Sequence, residues 1–165
     1  MTYCVTYESP LGPLVLVSDG KHLLSVLLKQ QLSSLTLCHA PGDDIPVLIA
    51  AQRWLDAYFS GQQPEITQLP LKLTGTAFQQ AVWRKLLAIP YGETITYGQL
   101  AKEIAMERGL QKMSAQAIGR ALGANPIIII VPCHRVLGAG RKLTGYTGGL
   151  DIKIHLLQHE NIPYK

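Results

Sequence analysis

The sequence predicts an α/β protein with two parts, a strand-and-helix part over residues 1–72 and a more helical part over residues 73–165. Strand-like stretches rich in Val, Leu and Tyr open the chain, whereas helical apolar spacing with hydroxyl caps recurs after residue 73. The length of 165 residues suits one ordinary domain or two small ones that share a core. A hydrophobic content of 47% excludes a disordered tail protein.

Short strands are predicted near the N-terminus. Residues 3–7 and 14–28 are rich in Val, Leu and Tyr, and turn-forming residues interrupt them at Ser9–Pro13 and Ser18–Gly20. These segments therefore predict strands that are separated by turns.

A helix follows these strands. Pro46 suits a first helical position, residues 47–60 have a helical pattern, and Gly61 suits the position after the helix end. Residues 63–72 contain two prolines and lead into the second part, so we place the boundary near residue 73.

Three further helices are predicted from their N-terminal caps. Thr76 with Gln79, and Thr96 with Gln99, have the capping-box spacing, in which a hydroxyl and an amide satisfy backbone N–H groups reciprocally. Ser114 is the candidate cap of the third helix. Because the last two helices are short and about ten residues join them, they predict a helix-turn-helix variant with a long turn. The apolar faces predicted to point inward are Phe78, Val82, Leu86 and Ile89; Leu100, Ile104 and Ala105; and Ile118, Ala121 and Leu122.

Charge is distributed unevenly along the chain. Residues 1–80 hold four basic and six acidic side chains, whereas residues 81–165 hold eleven basic and five acidic ones. The C-terminal part therefore accounts for the net charge of +4 at pH 7. A basic half beside a mildly acidic one indicates binding to a polyanion, although many basic surfaces bind nothing.

Several classes of protein are not supported. The longest apolar run, Ile127–Val131, is far shorter than a membrane-spanning helix, so no membrane partner is expected. The first residues have neither the basic nor the apolar segment of a secretory signal. Three cysteines are an odd number, so at least one is free or pairs between chains, and a disulfide scaffold is not expected. A reducing compartment fits better, the cytoplasm or, in a eukaryote, the nucleus.

The third predicted helix has an unusual polar face. Gln116, Gly119, Arg120 and Gly123 point together, away from the apolar side. Glycines beside one amide and one guanidinium would let the backbone approach an anion closely. A solvated face made of poor helix formers explains the spacing equally well.

The candidate chemistry lies within residues 125–135. Four isoleucines and a valine between two prolines, Ile127–Val131, predict a short strand that is buried on both faces. Cys133 follows this run, with His134 and Arg135 next to it. Cationic neighbours lower the pKa of a thiol, so we expect a nucleophilic Cys133. The alternative is a small buried hydrophobe, which is the usual role of a free cysteine.

The neighbours of Cys133 constrain the mechanism. Adjacent residues of an extended chain point to opposite sides, so a proton path through water is easier to build than a direct contact between Cys133 and His134. On the final helix, Ile152, Leu156 and Glu160 share one inward face. A buried carboxylate requires a partner, so we expect Glu160 to bind His134. The alternative is a frayed helix end with a solvated Glu160.

A Pro-Cys-His-Arg tetrapeptide follows the apolar run, and further distinctive blocks lie on both sides of it: Phe78–Trp83, Tyr97–Ala101, Asn125–Pro126, Pro132–Val136, Gly145–Tyr146, Gly148–Gly149 and Leu156–Glu160. Together these blocks closely resemble the O6-alkylguanine-DNA alkyltransferase family. The resemblance is strong over residues 76–160. The N-terminal part resembles the family only in its length and in short segments such as Tyr58–Gly61.

The resemblance implies a fold and an activity. The fold would be an N-terminal RNase H-like domain and a C-terminal helical domain with a winged-helix-like helix-turn-helix. The protein would bind double-stranded DNA through the minor groove, flip an O6-alkylguanine out of the stack, and move the alkyl group irreversibly to its own cysteine. O4-alkylthymine is a further candidate substrate. A monomer would react once, without a cofactor.

The resemblance also assigns roles to residues of this sequence. Cys133 would accept the alkyl group, His134 would act as its base through water, and Glu160 would orient His134. Asn125 would support the turn before the Cys133 segment. The DNA-binding positions would be Tyr97, which would press a backbone phosphate, with Gly98, Gln116, Arg120 and Arg135. The positions around the flipped base would be Val136, Tyr146, Thr147 and Gly148.

The sequence departs from the family at one important position. The residue that enters the duplex in place of the flipped base is normally arginine, and here it is Gln116. Glutamine fills space and can hydrogen-bond an orphan cytosine, but it lacks the charge and planar fork of arginine. We expect Arg120, one turn along the same face, to substitute in part. The alternative is weaker flipping with the thiol intact. The turn at Met106–Met113 is also longer than is usual in the family.

Two other functions compete with alkyl transfer. Alkyltransferase-like proteins recognise the lesion without repairing it, but they lack the cysteine, so Cys133 argues against that class. A cysteine hydrolase that used Cys133 and His134 would instead turn over many times. No metal is expected, because no zinc-binding pattern is formed by the scattered candidates Cys4, His22, Cys38 and His39.

Overall fold

The computed structural model describes residues 1–32, 38–146 and 149–165. These residues form two compact units. The N-terminal unit comprises Met1–Thr74 with Pro126–Ile128, and the C-terminal unit comprises Gly75–Asn125 with Ile129–Lys165. A single boundary near residue 73 therefore does not account for the three residues at 126–128. No helix in the described part of the chain is long and apolar enough to cross a lipid bilayer.

A four-stranded sheet forms the N-terminal unit. In chain order its strands are β1 (Tyr3–Ser9), β2 (Gly12–Ser18), β3 (Leu23–Leu28) and β4 (Ala40–Pro41). The spatial order is β3-β2-β1-β4, with β2 antiparallel to both neighbours and β4 parallel to β1. Val5 lies opposite Leu16 in the β1–β2 hairpin. The strands predicted at residues 3–7 and 14–28 are confirmed, with their breaks at the predicted turns.

Helix α1 (Pro46–Phe59) packs against β1, β2 and β3. Pro46 occupies the first helical turn, where its missing N–H costs nothing. Gly61 follows the helix end with φ +94°, a conformation that L side chains rarely adopt. Both predicted ends of this helix are confirmed. The apolar face of α1 completes the core of the unit with Val47, Leu48, Ala51, Trp54, Leu55 and Tyr58.

Cys4 and Cys38 form a disulfide in the N-terminal unit. Cys4 and Cys38 were expected to be scattered residues with no common role, and this prediction is wrong because they are bonded to each other. The physical reason is pairing: β4 lies parallel to β1 with Ala40 opposite Tyr3, which brings the segment before β4 beside Cys4. Cys133 is the free cysteine.

The isoleucine run is not a strand. Ile127 forms a single parallel bridge with Val26, where the Val26 N–H donates to the Pro126 carbonyl at 2.9 Å. The following residues form a turn. The strand prediction is wrong because uniform apolar burial does not distinguish a buried strand from a buried turn. All five side chains of Ile127–Val131 are nevertheless fully buried.

The C-terminal unit is mainly helical. In chain order its elements are α2 (Ala77–Leu87), β5 (Ile95–Thr96), α3 (Tyr97–Glu107), α4 (Ala115–Gly123), β6 (Val136–Leu137) and α5 (Leu150–His159). The three predicted caps are present, because the hydroxyls of Thr76, Thr96 and Ser114 each accept an N–H from the first turn. Gln79 completes the reciprocal capping box at Thr76, whereas at Thr96 the structure shows the hydroxyl half alone, with the Gln99 N–H donating to Thr96 Oγ1. Helices α3 and α4 pack together as the predicted helix pair.

Trp83 joins α2 to α4 inside this unit. Its side chain is 1% exposed, and its Nε1 donates to the carbonyl of Ala121 at 2.8 Å. A hydrogen bond between two helices at full burial fixes their relative position, since an unpaired polar group there would be costly.

We expect Trp83→Phe to lower the free energy of unfolding by about 2 kcal/mol, because the buried Ala121 carbonyl loses this bond. Urea denaturation followed by circular dichroism measures the change. The control is Glu107→Gln, which breaks an exposed ion pair with Lys85 and should cost less than about 0.5 kcal/mol. Equal losses for the two variants would contradict this role of Trp83.

Candidate active site

Cys133 lies in a tight turn of the C-terminal unit. Residues Cys133–Arg135 form a single 3-10 turn. Asn125 holds this segment, because its Nδ2 donates to the Val131 carbonyl at 2.9 Å and to Cys133 Sγ at 3.3 Å. Asn125 is itself buried. One amide side chain therefore fixes both the turn and the thiol.

The backbone before Cys133 is strained at Ile129. Its φ is 72°, in the left-handed region that a β-branched residue rarely adopts. Such a conformation costs about 1–3 kcal/mol and persists only where the surroundings fix it. Here Ile129 is fully buried, and Asn125 closes the turn through Val131. Burial of the isoleucine run thus holds a strained turn that leads to Cys133.

The thiol opens on a cavity of about 340 Å³ in the C-terminal unit. Cys133 is only 3% exposed, so the cavity, and not the outer surface, gives access to Sγ. Gly119 and Gly123 line it without side chains, and a Cβ at either position would meet no atom within 4 Å. A cavity of this size is within the range that holds small ligands. Its lining consists of Tyr97, Gly119, Leu122, Gly123, Cys133, Gly145 and Tyr146.

A buried ion-pair network follows Cys133 in the chain. Glu160 Oε2 accepts from His134 Nε2 at 2.6 Å and from Arg135 Nη2 at 3.1 Å. Glu160 Oε1 accepts from Arg135 Nε at 2.8 Å and from the Gly92 N–H at 3.1 Å. Arg135 Nη1 donates to the carbonyl of Ile89 at 2.7 Å. The carboxylate is therefore fully occupied, and the predicted contact between Glu160 and His134 is present.

The geometry around His134 differs from the sequence-based premise. Cys133 and His134 do not belong to an extended chain, because they share the 3-10 turn. The imidazole still makes no direct hydrogen bond to the thiol. Nε2 is bound to Glu160, and Nδ1 is buried without a hydrogen-bond partner in the described part of the chain.

The electrostatics of this network fix the state of the imidazole. Burial alone would raise the pKa of Glu160, but the hydrogen bonds from His134 and Arg135 and the charge of Arg135 outweigh it and hold that pKa well below its usual range. Burial also lowers the pKa of His134, although Glu160 opposes this. His134 is therefore neutral beside an ionised carboxylate. Since a carboxylate only accepts, Nε2 carries the proton and Nδ1 carries the lone pair.

The pKa of Cys133 departs from the prediction. Burial raises the pKa of the thiol, whereas the Asn125 and Tyr146 side chains and the positive charge of Lys153 lower it. Adjacent cations were expected to lower the pKa, and this prediction is wrong for a geometric reason. Arg135 points to Glu160, and His134 is neutral.

Lys153 is a site residue that the sequence analysis missed. It is 1% exposed, and its Nζ donates to the carbonyl of Val136 at 2.9 Å and to Thr144 Oγ1 at 3.1 Å. Burial lowers its pKa to about 8, while the nearby Cys133 opposes the shift. A signal was available in the sequence, because Lys153 precedes the buried Leu156 and Leu157 by three and four residues on one helix face.

Two of the predicted DNA and base contacts are not available as expected. Arg135 is 5% exposed and its guanidinium is bound to Glu160, so its prediction as a DNA-binding residue is wrong. The Val136 side chain is buried in β6 and is not part of the cavity lining. An arginine beside a buried carboxylate is retained by the ion pair, because separating the charges inside the protein is costly.

The other predicted positions lie in three places. Tyr97 is half-buried and lines the cavity, and its hydroxyl accepts from Thr144 Oγ1 at 2.8 Å. Tyr146 lines the same cavity. Gly98, Gln116 and Arg120 are exposed on α3 and α4. Thr147 and Gly148 lie outside the described residues.

Comparison with known proteins identifies the family. Residues 77–162 match the DNA binding domain of 6-O-methylguanine DNA methyltransferase, and residues 2–73 match the ribonuclease-like domain of the same protein. The chain belongs to this family. The predicted resemblance is therefore confirmed, and so is the fold class of an RNase H-like domain followed by a helical DNA-binding domain.

Named members of this family are similar to the chain over nearly its whole length. The chain is 43% identical over 163 residues to the methylated-DNA–protein-cysteine methyltransferase of Haemophilus influenzae, covering 98% of this chain and 88% of that protein. The protein of the same name from Mycobacterium tuberculosis is 44% identical over 160 residues, covering 97% and 93%. A crystal structure of the Mycobacterium tuberculosis protein in complex with DNA matches with a TM-score of 0.82 at 43% identity, covering 96% and 93%.

We expect Glu160→Gln to lower the free energy of unfolding by about 3–5 kcal/mol, because Arg135 would stay buried without its counter-charge. Urea denaturation at pH 7 measures the loss. Glu93→Gln, at an exposed position, is the matched control and should change little. If Glu160→Gln lowers the free energy of unfolding by less than about 1 kcal/mol, the ion pair between Arg135 and Glu160 does not stabilise the fold as expected.

The same carboxylate should make stability depend on pH. The folded-state pKa of Glu160 lies below the unfolded value of about 4.3, so its contribution is complete above that pH and is lost as the pH falls below it. Wild-type stability should therefore fall progressively as the pH drops below about 5, and the stability of Glu160→Gln should fall less. Parallel curves of the free energy of unfolding against pH for the two proteins would contradict this role of Glu160.

Proposed function

We propose that the protein repairs alkylated DNA by moving the alkyl group from O6 of guanine to Cys133 Sγ. The observation that carries the proposal is a free thiol that opens on a cavity and precedes a neutral histidine bound to a carboxylate. Membership of a family whose relatives are named methylated-DNA–protein-cysteine methyltransferases supports the same reaction.

The thiol must lose its proton before it can attack. Because burial raises the thiol pKa, a base is needed, and the lone pair of His134 Nδ1 can serve through one bridging water. The charge that develops on the imidazole is stabilised by Glu160, which also fixes the ring. Asn125 and the charge of Lys153 stabilise the thiolate.

The transfer itself is a displacement at the alkyl carbon. A bond forms between Cys133 Sγ and this carbon while the bond from carbon to O6 breaks, and the electron pair of that bond stays on the guanine. The product is a thioether, which no group at the site can cleave. Each molecule therefore reacts once, and the protein is consumed with its substrate.

The helix pair α3–α4 is the proposed DNA-binding element. Gly98, Gln116 and Arg120 are exposed on these helices, and the C-terminal half of the sequence supplies most of the positive charge. We infer that α4 enters the minor groove and that a single monomer extrudes the guanine into the cavity, since the alkyl carbon is not reachable in the stacked duplex. The substrate would put the protein where the chromosome is, in the cytoplasm of a prokaryote.

The flipped base would lie between α4 and the segment around Tyr146. The glycines of α4 leave room for it, and the aromatic rings of Tyr97 and Tyr146 offer flat apolar surfaces. Thr147 and Gly148 stay proposed members of this pocket.

The competing function is that of a cysteine hydrolase, in which Cys133 would be the nucleophile for a hydrolytic reaction. A hydrolase needs donors for an oxyanion and a route to release an acyl group, and it regenerates its thiol in each cycle. The two functions are separated by stoichiometry, because an alkyltransferase stops after one equivalent of substrate.

A duplex oligonucleotide with one O6-methylguanine provides the direct test. Intact mass spectrometry should detect one added methyl group per protein, and peptide mapping should place it on Cys133. Cys133→Ala should gain none. Undamaged duplex of the same sequence is the matched substrate control. Absence of the methyl group from the wild-type protein after prolonged mixing would overturn the proposed function.

Gln116 stands where the family normally has arginine, and this difference leads to a separate prediction. We expect Gln116→Arg to raise the repair rate several-fold, because a cation with a planar fork fills the vacated stack better. Arg120→Ala should lower the rate if Arg120 substitutes in part, whereas Lys29→Ala, far along the chain in the N-terminal unit, is the control. Single-turnover rates on the methylated duplex measure both. If Arg120→Ala matches the control, the substitution idea fails.

A further inference from the structure

We propose that Tyr91 and Gly92, in the turn before β5, are positioning residues that hold the Arg135–Glu160 ion pair in place and thereby keep the His134 imidazole in its base form. This inference rests on the proposed function and deepens it, because it adds two residues to the control of the thiol proton. Both residues act through Arg135 and Glu160, and the proton itself goes to His134.

Gly92 occupies the position of this turn that favours glycine. The Glu93 N–H donates to the Pro90 carbonyl at 3.1 Å, which closes a β-turn, and Gly92 has a φ of +81° at its third position. A positive φ at that position is typical of a type II turn and is adopted easily only by glycine. The turn directs the Gly92 N–H to Glu160 Oε1, which accepts it at 3.1 Å.

The same turn holds the guanidinium of Arg135 from two directions. The carbonyl of Ile89 accepts from Nη1 at 2.7 Å. The ring of Tyr91 lies against the guanidinium, with Arg135 Cζ 5.8 Å from the ring centroid. An aromatic ring at this distance attracts a cation through its quadrupole, and the attraction is stronger where water is excluded. The hydrogen bonds therefore fix the edge of the guanidinium, and the ring covers its face.

The hydroxyl of Tyr91 reaches the end of α5. It donates to the carbonyl of His159 at 3.3 Å, and Glu160 is the next residue. This distance is long for an O–H···O bond, so the bond is weak. The aromatic ring, and not the hydroxyl, is therefore the part of Tyr91 that we expect to matter most.

The ion pair that this turn holds sets the basicity of His134. The charge of Glu160 raises the pKa of His134, whereas burial and the charge of Arg135 lower it. If Arg135 moves away, or if Glu160 loses the Gly92 N–H, the carboxylate attracts a proton on the imidazole more strongly. A protonated imidazole has no lone pair on Nδ1, so it cannot take the thiol proton. The turn thus keeps the base available over a wider range of pH.

Other titratable groups also act on this part of the site. The charge of Lys153 lowers the pKa of His134, as Arg135 does, and Cys133 precedes His134 in the same 3-10 turn. Tyr91 is a neutral phenol, because burial and the nearby Glu160 raise its pKa. Helix α2 packs against the 3-10 turn too, and its basic side chains form other bonds, Arg84 with Gln80 and Lys85 with Glu107. Changes at Tyr91 or Gly92 leave these charges in place, so a shift in the titration of His134 reports the ion pair.

Single-turnover methyl transfer at saturating methylated duplex, measured from about pH 5 to about pH 9, tests the inference. The rate falls on the acid limb as His134 gains a proton. Tyr91→Leu removes the ring and should move this limb to higher pH, so that transfer there is about threefold slower than in the wild type. The two rates should converge at about pH 8. Tyr91→Phe keeps the ring and should follow the wild-type profile within about twofold. Tyr164→Leu, at another half-buried tyrosine of the C-terminal unit, is the matched control.

Gly92→Ala keeps the test decisive if Tyr91→Leu folds poorly. Alanine strains the positive φ and displaces the N–H from Glu160, so the acid limb should move in the same direction. Gly61→Ala, at a glycine with φ +94° in the N-terminal unit, introduces the same kind of strain away from the ion pair and is the matched control.

Heteronuclear nitrogen NMR of His134 reads its protonation without DNA. In the wild-type protein the His134 signals, identified by their absence from His134→Gln, should show a neutral imidazole with its proton on Nε2 at neutral pH. The titration midpoint should lie at higher pH in Tyr91→Leu and in Gly92→Ala. An acid limb and a midpoint that match the wild type in both variants would overturn the inference, and so would a shift in Tyr91→Phe as large as in Tyr91→Leu. If the midpoints shift but the wild-type protein transfers no methyl group, the proposed function fails instead.

Discussion

The site depends on the carboxylate of Glu160. This one side chain accepts two hydrogen bonds from Arg135, one from His134 and one from the backbone of Gly92. A buried carboxylate is stable only when its lone pairs are satisfied, and here the arginine fork supplies most of the compensation. The ion pair therefore makes it possible for an ionised group to hold the imidazole inside the protein.

This arrangement divides the work between two cations in a way that the tetrapeptide does not reveal. Arg135 neutralises Glu160 and leaves the imidazole uncharged, so that Nδ1 keeps its lone pair. Lys153, on α5, supplies the positive charge that acts on Cys133. The base and the cation that stabilises the thiolate are thus two separate groups. The lone pair of His134 Nδ1 therefore stays available to accept the thiol proton.

Access to the thiol comes from backbone geometry as much as from charge. The strained turn at Ile129 and the amide of Asn125 present Sγ to a cavity instead of leaving it on the outer surface. Burial raises the thiol pKa, and this protects a single-use nucleophile from wasteful reaction until a base and a substrate are in place. Reactivity and protection follow from the same enclosure.

The sequence by itself determined the elements and most of the members of the site. Periodicity and caps gave the N-terminal strands, α1 and the three later helices, because these signals are local. The inward position of Glu160 followed from helical spacing on α5. Cys133, His134 and Asn125 were recognisable from their motif.

Only the tertiary structure decided how these residues are used. The isoleucine run became a turn, Arg135 went to Glu160 instead of DNA, and Lys153 became the cation that faces the thiol. Each outcome depends on which partner lies across a buried space, and such partners come from distant parts of the chain. Local pattern records burial and periodicity, but it does not record which charge meets which, and that pairing sets the chemistry of the site.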